Sequence, residues 1–366
     1  MSKPAILHTE ASNGWAGQEI RILGEMLGMK GRGYEVLLAT SPDNAIYDRA
    51  KRAGIETFSV RMDRKGFLPG VAALYRIIKD RGVGIVGTHS SRDSWIGGIA
   101  GRLAGAKVIR YRHISSALNT SPFTKLVYGP LTDGVITTGE FIMAQLIREL
   151  GLNPGKIYSV PTGINTEKFT GTGGDALRGQ LGISADAPVI GMAAALRSWK
   201  GHRYMMEAMP SILAEYPDAR LVLAGEGPVR PYIDQWKEEF GIAGAVTMLG
   251  HRDDVETVIA GFDISVMASY ASEGIPQFAL QSMASGKPVV GTDVGGIPEV
   301  VKDGITGLVV PPKDPAALAA AIKGLLSDRA LMARMGEAGR SLVLERHTAD
   351  RMLDDIEAVY GKILNT

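Results

Sequence analysis

Short, continuous apolar runs alternate along the chain with longer stretches in which apolar residues recur every three or four positions. The first pattern predicts strands buried on both faces, and the second predicts helices that cover them. The first half reads as strand Ala5–Thr9, a helix from Gly17, strand Glu35–Thr40, a helix from Asn44 and strand Glu56–Val60. It continues with helix Leu68–Arg81, strand Gly84–His89, helix Asp93–Leu103, strands Lys107–Arg112 and Gly134–Thr138, and helix Glu140–Leu150. Glycines at 171, 173 and 174, with Pro188, interrupt the rhythm and predict a linker over 169–187. Alternation then resumes with strands Val189–Ala194, Arg220–Ala224, Val246–Gly250, Ile264–Met267, Pro288–Gly291 and Gly307–Val310. Helices His202–Tyr216, Arg230–Phe240, Asp254–Ala260, Pro276–Ser285 and Ile297–Val301 lie between them, and three helices over 315–327, 330–345 and 349–364 close the chain.

The period of these units, about 30 residues, is that of a βαβ repeat. The fold class is therefore α/β, with two Rossmann-like, doubly wound domains at 1–168 and 188–348. Ligands of such sheets sit at the carboxyl ends of the strands, so a cleft between the two domains is the expected site.

Length agrees: 366 residues exceed one ordinary core and fit two domains of about 150–200 residues. At 45% hydrophobic residues and a net charge of +1 the chain is globular in composition rather than disordered. The absence of cysteine excludes thiolate metal sites, disulfide scaffolds and cysteine nucleophiles. The opening MSKPAILHTE has no signal-like apolar core, and no run of about 18 apolar residues follows, so a cytoplasmic protein is expected. Charge is uneven. The first 170 residues carry 22 Lys and Arg against 14 Asp and Glu, the remainder 18 against 25. A basic first half suits phosphates or an anionic membrane, the inner face of the plasma membrane being the expected place. Arg61, Arg64, Lys65, Phe67 and Leu68, with Arg76, Lys79 and Arg81, form the stretch that would meet lipid. Nucleic acid is not expected, because the basic residues are dispersed and aromatics make up only 6%.

Generic motifs exclude more than they assign. There is no P-loop, no complete G-x-G-x-x-G after a strand, no H-E-x-x-H and no nucleophile elbow. The informative stretch is Ser269–Pro298. There Glu273, Gly274, Ile275 and Pro276 stand just before a helix whose unpaired amides suit phosphate, with Pro276 at the expected first turn. Gln281 lies eight residues after Glu273, about two helical turns in. Arg197 and Lys200 occupy the loop after strand Val189–Ala194, where an Arg fork and a Lys point charge suit a diphosphate. Position alone also allows Glu273 to be a helix-start acid and the two basic residues to be solvated surface.

Taken together, these clusters closely resemble the family 4 retaining glycosyltransferases of the GT-B fold. The resemblance runs almost continuously over 189–345, through Arg197, Lys200-Gly201, Gly225-Glu226-Gly227-Pro228, Leu249-Gly250, Glu273-Gly274-Ile275-Pro276, Met283–Val290 and Gly295–Val301. The first half is looser. Asn13–Glu19 resembles the family's glycine-rich loop after the first strand, and Pro161–Asn165 with Phe169 resembles the end of the first domain. Thr88–Asp93 and Arg110–His113 resemble members acting on bacterial surface polysaccharide or lipopolysaccharide.

The resemblance implies that helix 349–366 returns to the first domain and that a retaining, metal-independent enzyme uses no cofactor. Its substrates would be a UDP- or GDP-linked nucleotide-diphospho-sugar donor and a glycan or lipid-linked acceptor. Arg197, Lys200, Glu273 and His113 would be catalytic. Gly14, Gly17, Gly225, Glu226, Arg252, Gly274, Ile275, Pro276, Gln277 and Gln281 would hold the donor. His89, Ser90, Arg92 and Arg112 are acceptor-side candidates. One departure is Gln281, where the family has glutamate. Glutamine keeps an acceptor oxygen but loses the charge, exchanging a contact of about 1.5–3 kcal/mol for one of about 1 kcal/mol. Alternatives are an epimerase or hydrolase of the same fold, and a degenerate nucleotide-sugar-binding protein.

Overall fold

The apolar runs form strands because both of their faces find cover. In the first sheet Ile6, Leu38, Ile85 and Ile109 pack against Ile22, Met26, Ile356 and Tyr360. Their alternate neighbours Leu7, Leu37 and Val86 pack on the opposite face against Leu74, Ile78 and Ile96. A period of two with apolar residues on both sides is what a helix-covered parallel sheet requires.

The structure is a computed structural model that describes residues 3–271 and 273–365. The chain divides into two compact units, 1–163 with 349–366, and 164–348. The first holds strands β1 (Ala5–Glu10), β2 (Val36–Thr40), β3 (Glu56–Ser59), β4 (Val83–Thr88), β5 (Lys107–Arg112), β6 (Gly134–Thr137) and β7 (Ile157–Ser159). Their order is β3-β2-β1-β4-β5-β6-β7. The second holds β8 (Val189–Ala193), β9 (Arg220–Ala224), β10 (Val246–Gly250), β11 (Ile264–Met267), β12 (Val289–Thr292) and β13 (Gly307–Val310), in the order β10-β9-β8-β11-β12-β13. The pairings within each sheet are parallel, with Leu7 opposite Leu37 and Val86, and Ile190 opposite Leu221 and Ile264.

Three elements differ from expectation. Strand β7 and helix Pro122–Tyr128 follow segments too short or too polar for a periodic signal. The stretch 169–187 is not a linker but part of the second unit. Phe169 and Leu177 are buried in its core with Phe262, and helix Gly174–Leu181 packs on helix Val255–Ala260. The last helix, Ala349–Leu364, belongs to the first unit. It buries Met352, Leu353, Ile356, Val359, Tyr360 and Ile363 at helical spacing, while Arg32 pairs with Asp354 and Glu357 at its surface.

Candidate active site

In each sheet the order reverses between two neighbouring strands, β1 and β4 or β8 and β11, and in open α/β sheets ligands bind beyond the carboxyl ends of the strands at such a reversal. In the second unit the loops leaving these ends are joined by backbone hydrogen bonds. Ala194 N donates to Ala224 O and Leu196 N to Glu226 O, both at 2.9 Å, while Gly225 N donates to Gly250 O at 2.7 Å and Tyr270 N to Trp199 O at 2.8 Å. Two glycines permit this closeness. Gly201 has φ +73°, and a Cβ there would lie 1.8 Å from Ala268 O. Gly225 has φ +138°, and its Cβ would lie 2.0 Å from Ala194 O.

The result is one tight ionic contact. Lys200 Nζ lies 2.6 Å from Glu273 Oε1, which also accepts from Ser269 Oγ at 2.6 Å. Glu273 is 4% exposed, and Ser269 is fixed in turn by Thr292, whose hydroxyl donates to its carbonyl. A buried carboxylate paired with a lysine at a switch point is a high-stakes arrangement, since loss of either partner leaves the other unpaired. Arg197 is exposed, its guanidinium 5.9 Å from the Trp199 ring.

Beyond Glu273 the buried residues Gly274, Ile275 and Pro276 lead into helix Gln277–Ala284. Pro276 is the capping residue rather than part of the first turn. Its φ of −77° and ψ of 120° are extended, and its own side chain makes no capping hydrogen bond. Because the helix begins at Gln277, half-buried Gln281 stands one turn in rather than two. Glu226 is exposed, and its carbonyl serves the loop hydrogen bond to Leu196. Arg252 is held by Asp254 through two hydrogen bonds of 2.7 and 2.6 Å, which also raise its pKa, so its charge is already matched locally.

In the first unit Gly14 lies exposed in the loop after β1, and Gly17 opens helix Gly17–Gly31. Glu19 tightens this loop, accepting from Ser12 Oγ at 2.8 Å and Ala16 N at 2.9 Å. His89 and His113, at the ends of β4 and β5, are brought together with their ring nitrogens 3.0 Å apart. His8 of β1, which the sequence did not single out, joins them at 2.9 Å from His89. Burial holds all three below the usual histidine range, so they are neutral near pH 7.

Ser90 is a helix cap, exchanging hydrogen bonds with Asp93 at the start of helix Ser91–Ala104. Arg112 donates to Ser116 O at 2.7 Å. Arg92 is exposed and lines a separate cavity of about 690 Å³ with Arg61, Arg64, Lys65, Phe67 and Trp95. Glu10, at the end of β1, was also missed. It is fully buried, and burial beside Asp93 pushes its pKa up to about 8, while Ser12 N and Gln18 Nε2 donate to it at 2.6 Å. The available signal was a histidine and a glutamate inside an otherwise apolar strand. Among the described residues no group of three His, Asp or Glu is placed to hold a metal ion.

Two sheets of this order, each with functional groups at its switch point, define a nucleotide-binding architecture, and comparison with known proteins specifies it. Residues 15–168 match the family model Glycosyltransferase Family 4, and residues 174–342 match Glycosyl transferases group 1. The chain belongs to this family and is a glycosyltransferase of the GT-B fold. It is 29% identical to EpsD of Bacillus subtilis (strain 168), a protein named as a glycosyltransferase, over 85% of this chain and 86% of that protein. It is 25% identical to an Escherichia coli UDP-Gal:alpha-D-GlcNAc-diphosphoundecaprenol alpha-1,3-galactosyltransferase, over 80% and 79% of the two chains. For some other curated relatives the match spans about half of their length. HepE of Anabaena, solved in complex with UDP, shares the fold with a TM-score of 0.88 at 20% identity, covering 98% of this chain and 100% of that one.

Proposed function

We propose that this enzyme transfers a sugar from a nucleotide-diphospho-sugar to a glycan or lipid-linked acceptor in bacterial surface polysaccharide or lipopolysaccharide assembly, with retention and without a metal. The carrying observation is the Lys200–Glu273 pair beside the start of helix Gln277–Ala284. In this reading the second unit holds the donor. The diphosphate takes over Lys200 and engages Arg197 and the helix amides, while a sugar hydroxyl takes over Glu273. Charge building on the leaving diphosphate is then met by fixed cations and amides, which fill the role a divalent metal has elsewhere. The acceptor attacks from the face the diphosphate leaves, the departing phosphate takes the acceptor's proton, and no protein nucleophile is required. UDP in HepE and the UDP-sugar in the name of the Escherichia coli relative favour a UDP-linked donor, and that relative's lipid-diphosphate acceptor favours a similar class here.

Isothermal titration against UDP, GDP and ADP, then their sugar conjugates, tests the donor assignment. Selective micromolar binding of one nucleotide is expected, and no binding to any of them would defeat the reading. Nuclear magnetic resonance of the product must give the donor's anomeric configuration, and turnover must survive a chelator. Consumption of donor without acceptor would favour a hydrolase or epimerase instead. Binding without turnover on any acceptor pool would favour a degenerate binding protein.

A specific feature extends the proposal to the membrane. The cavity of Arg61, Arg64, Lys65 and Arg92 is walled by Phe67 and Trp95, and Leu68 and Phe123 are 75% and 71% exposed. Basic and apolar groups together suit anionic lipid headgroups at the inner face of the plasma membrane. Two of the basic residues in this stretch are already paired, Arg61 with Asp63 and Arg81 with Glu56, which leaves Arg64, Lys65 and Arg92 as the main contacts. Flotation with anionic vesicles should be lost in Arg64→Glu/Lys65→Glu, and an equal yield for wild type and variant would refute it.

A further inference from the structure

His8, His89 and His113 come from β1 and from the ends of β4 and β5, three neighbouring strands of the first sheet. Their rings stack with centroids 5.1 and 5.3 Å apart, and Tyr111 stacks on His89 at 4.4 Å. The contacts follow one sense along the row. His8 Nδ1 meets His89 Nε2, and His89 Nδ1 meets His113 Nε2. Each contact needs one proton between two nitrogens, and each neutral ring has one to give. Only two arrangements satisfy both contacts. Either all three rings carry the proton on Nδ1, or all three carry it on Nε2.

The ends of the row decide between them. At one end His8 Nε2 has no hydrogen-bond partner among the described residues. Glu25 is the charged group whose field acts on His8. Its Oε1 accepts from the hydroxyls of Tyr111 at 2.5 Å and Tyr360 at 3.1 Å, and its Oε2 is buried and unpartnered. At the other end His113 Nδ1 is also buried and unpartnered, and the charges acting on His113 are Arg21, Arg112 and Arg110. The remaining charged neighbour is Asp93, whose Oδ2 accepts from the backbone N–H of His89 and makes no contact with its ring nitrogens. Negative charge acting on the His8 end of the row and positive charge acting on the His113 end favour the arrangement whose protons lie toward His8. Both ends select protons on Nε2.

We propose that His8 and His89 are positioning residues. Together with Glu25 they fix the proton of His113 on Nε2 and leave its Nδ1 as a bare acceptor for a ligand hydroxyl. The inference rests on the proposed function and on the catalytic place that the family resemblance implies for His113. Burial supports it, because it keeps the row neutral so that no ring can satisfy both contacts by taking a second proton. The ligand gains a rigid acceptor whose lone pair needs no reorientation on binding.

The test uses full-length protein with nitrogen-labelled histidine, whose ring resonances distinguish the two tautomers. Variants at each position supply the assignments. The expected result at pH 7 is three neutral rings protonated on Nε2. An Nδ1 proton or a charge on any of them would overturn the proposal. Folded Glu25→Gln should give His113 a measurable Nδ1-protonated population, and an unchanged His113 resonance would also overturn it. If that variant does not fold, His8 supplies the second comparison. His8→Leu removes the acceptor at the Nδ1 position, and His8→Asn restores one. His8→Leu should lower kcat about tenfold or more at unchanged donor KM, as wrong-tautomer variants do elsewhere, with recovery in His8→Asn. Equal kcat in wild type and His8→Leu would overturn the positioning role. Full turnover by His113→Ala would instead remove His113 from the reaction, which is failure of the site reading rather than of the imidazole row.

Discussion

The two sheets share a plan, β3-β2-β1-β4 in one and β10-β9-β8-β11 in the other, but they differ in what stands at the reversal. The second unit sets glycine-tightened loops around the Lys200–Glu273 ion pair. The first sets a buried titratable cluster there, of His8, Glu10, His89, Asp93 and His113. One is a cradle of fixed charge and backbone. The other is a set of side chains whose titration burial shifts, histidines downward and carboxyls upward. The difference teaches that one topology can position either kind of chemistry, because it specifies where the loops emerge and not what they contain.

The largest expected effect breaks the ion pair. Lys200→Ala should lower kcat by roughly 10²–10³, the equivalent of about 2.7–4 kcal/mol of lost charge stabilisation, with circular dichroism unchanged. Near-normal turnover would place the cradle outside the chemistry. Next in size is a matched pair of glycine variants. Gly201→Ala would drive a Cβ into Ala268 O at a φ of +73°, and should cost more than about 3 kcal/mol or prevent folding. Gly14→Ala in the first unit meets only ordinary contacts of 3.6 and 3.8 Å and should stay within about 0.5 kcal/mol. Equal melting temperatures for the two variants would erase the contrast between rigid and open loops.

Acid separates the units less sharply. His202, in the second unit, has its pKa lowered to about 4 by burial, and His8, His89 and His113 are lowered in the first. A histidine depressed in the folded state leaves the unfolded chain binding more protons. Its stability contribution is therefore present above about pH 6.5 and is lost as pH falls. Hydrogen exchange between pH 7 and pH 5 should show the first unit loosening before the second, and the opposite order would refute the assignment of the three rings as neutral.

The smallest effect concerns Glu10. Its folded pKa of about 8 lies above the ordinary 4.5, so the folded state holds the proton longer and wild-type stability falls as pH rises between these values. Glu10→Gln should thus gain stability relative to wild type from pH 5 to pH 8. A constant difference across that range would show that Glu10 titrates normally.

Strand and helix positions were largely legible, since fully buried parallel strands leave continuous apolar runs and amphipathic helices leave a clear period. Lys200 and Glu273 were legible singly, as a base in a strand-to-helix loop and an acid just before a helix. Their mutual contact was not, because it depends on β8 lying beside β11. The histidine row was hidden for the same reason: its members stand 81 and 24 residues apart and meet only through the order β1-β4-β5. The stretch 169–187 read as a linker because its glycines dominate locally, whereas Phe169 and Leu177 gain their meaning only from Phe262. That Arg252 is paired with Asp254, two residues on, was not legible from the residue types alone.

The final helix has a consequence for how the protein is made. The first sheet is finished by Ser159, but Ile356 and Tyr360, which pack on one face of it, reach the ribosome exit only after the whole of 164–348. At about 5–20 residues per second that is a wait of roughly 10–40 s. The second unit is continuous in sequence and can fold while the first still has an apolar face exposed. Pulse proteolysis of released chains that end at Thr348 should find 164–348 resistant and 3–163 sensitive. Translation therefore leaves the first unit, with its buried row of histidines, dependent on a helix synthesised after the whole second unit.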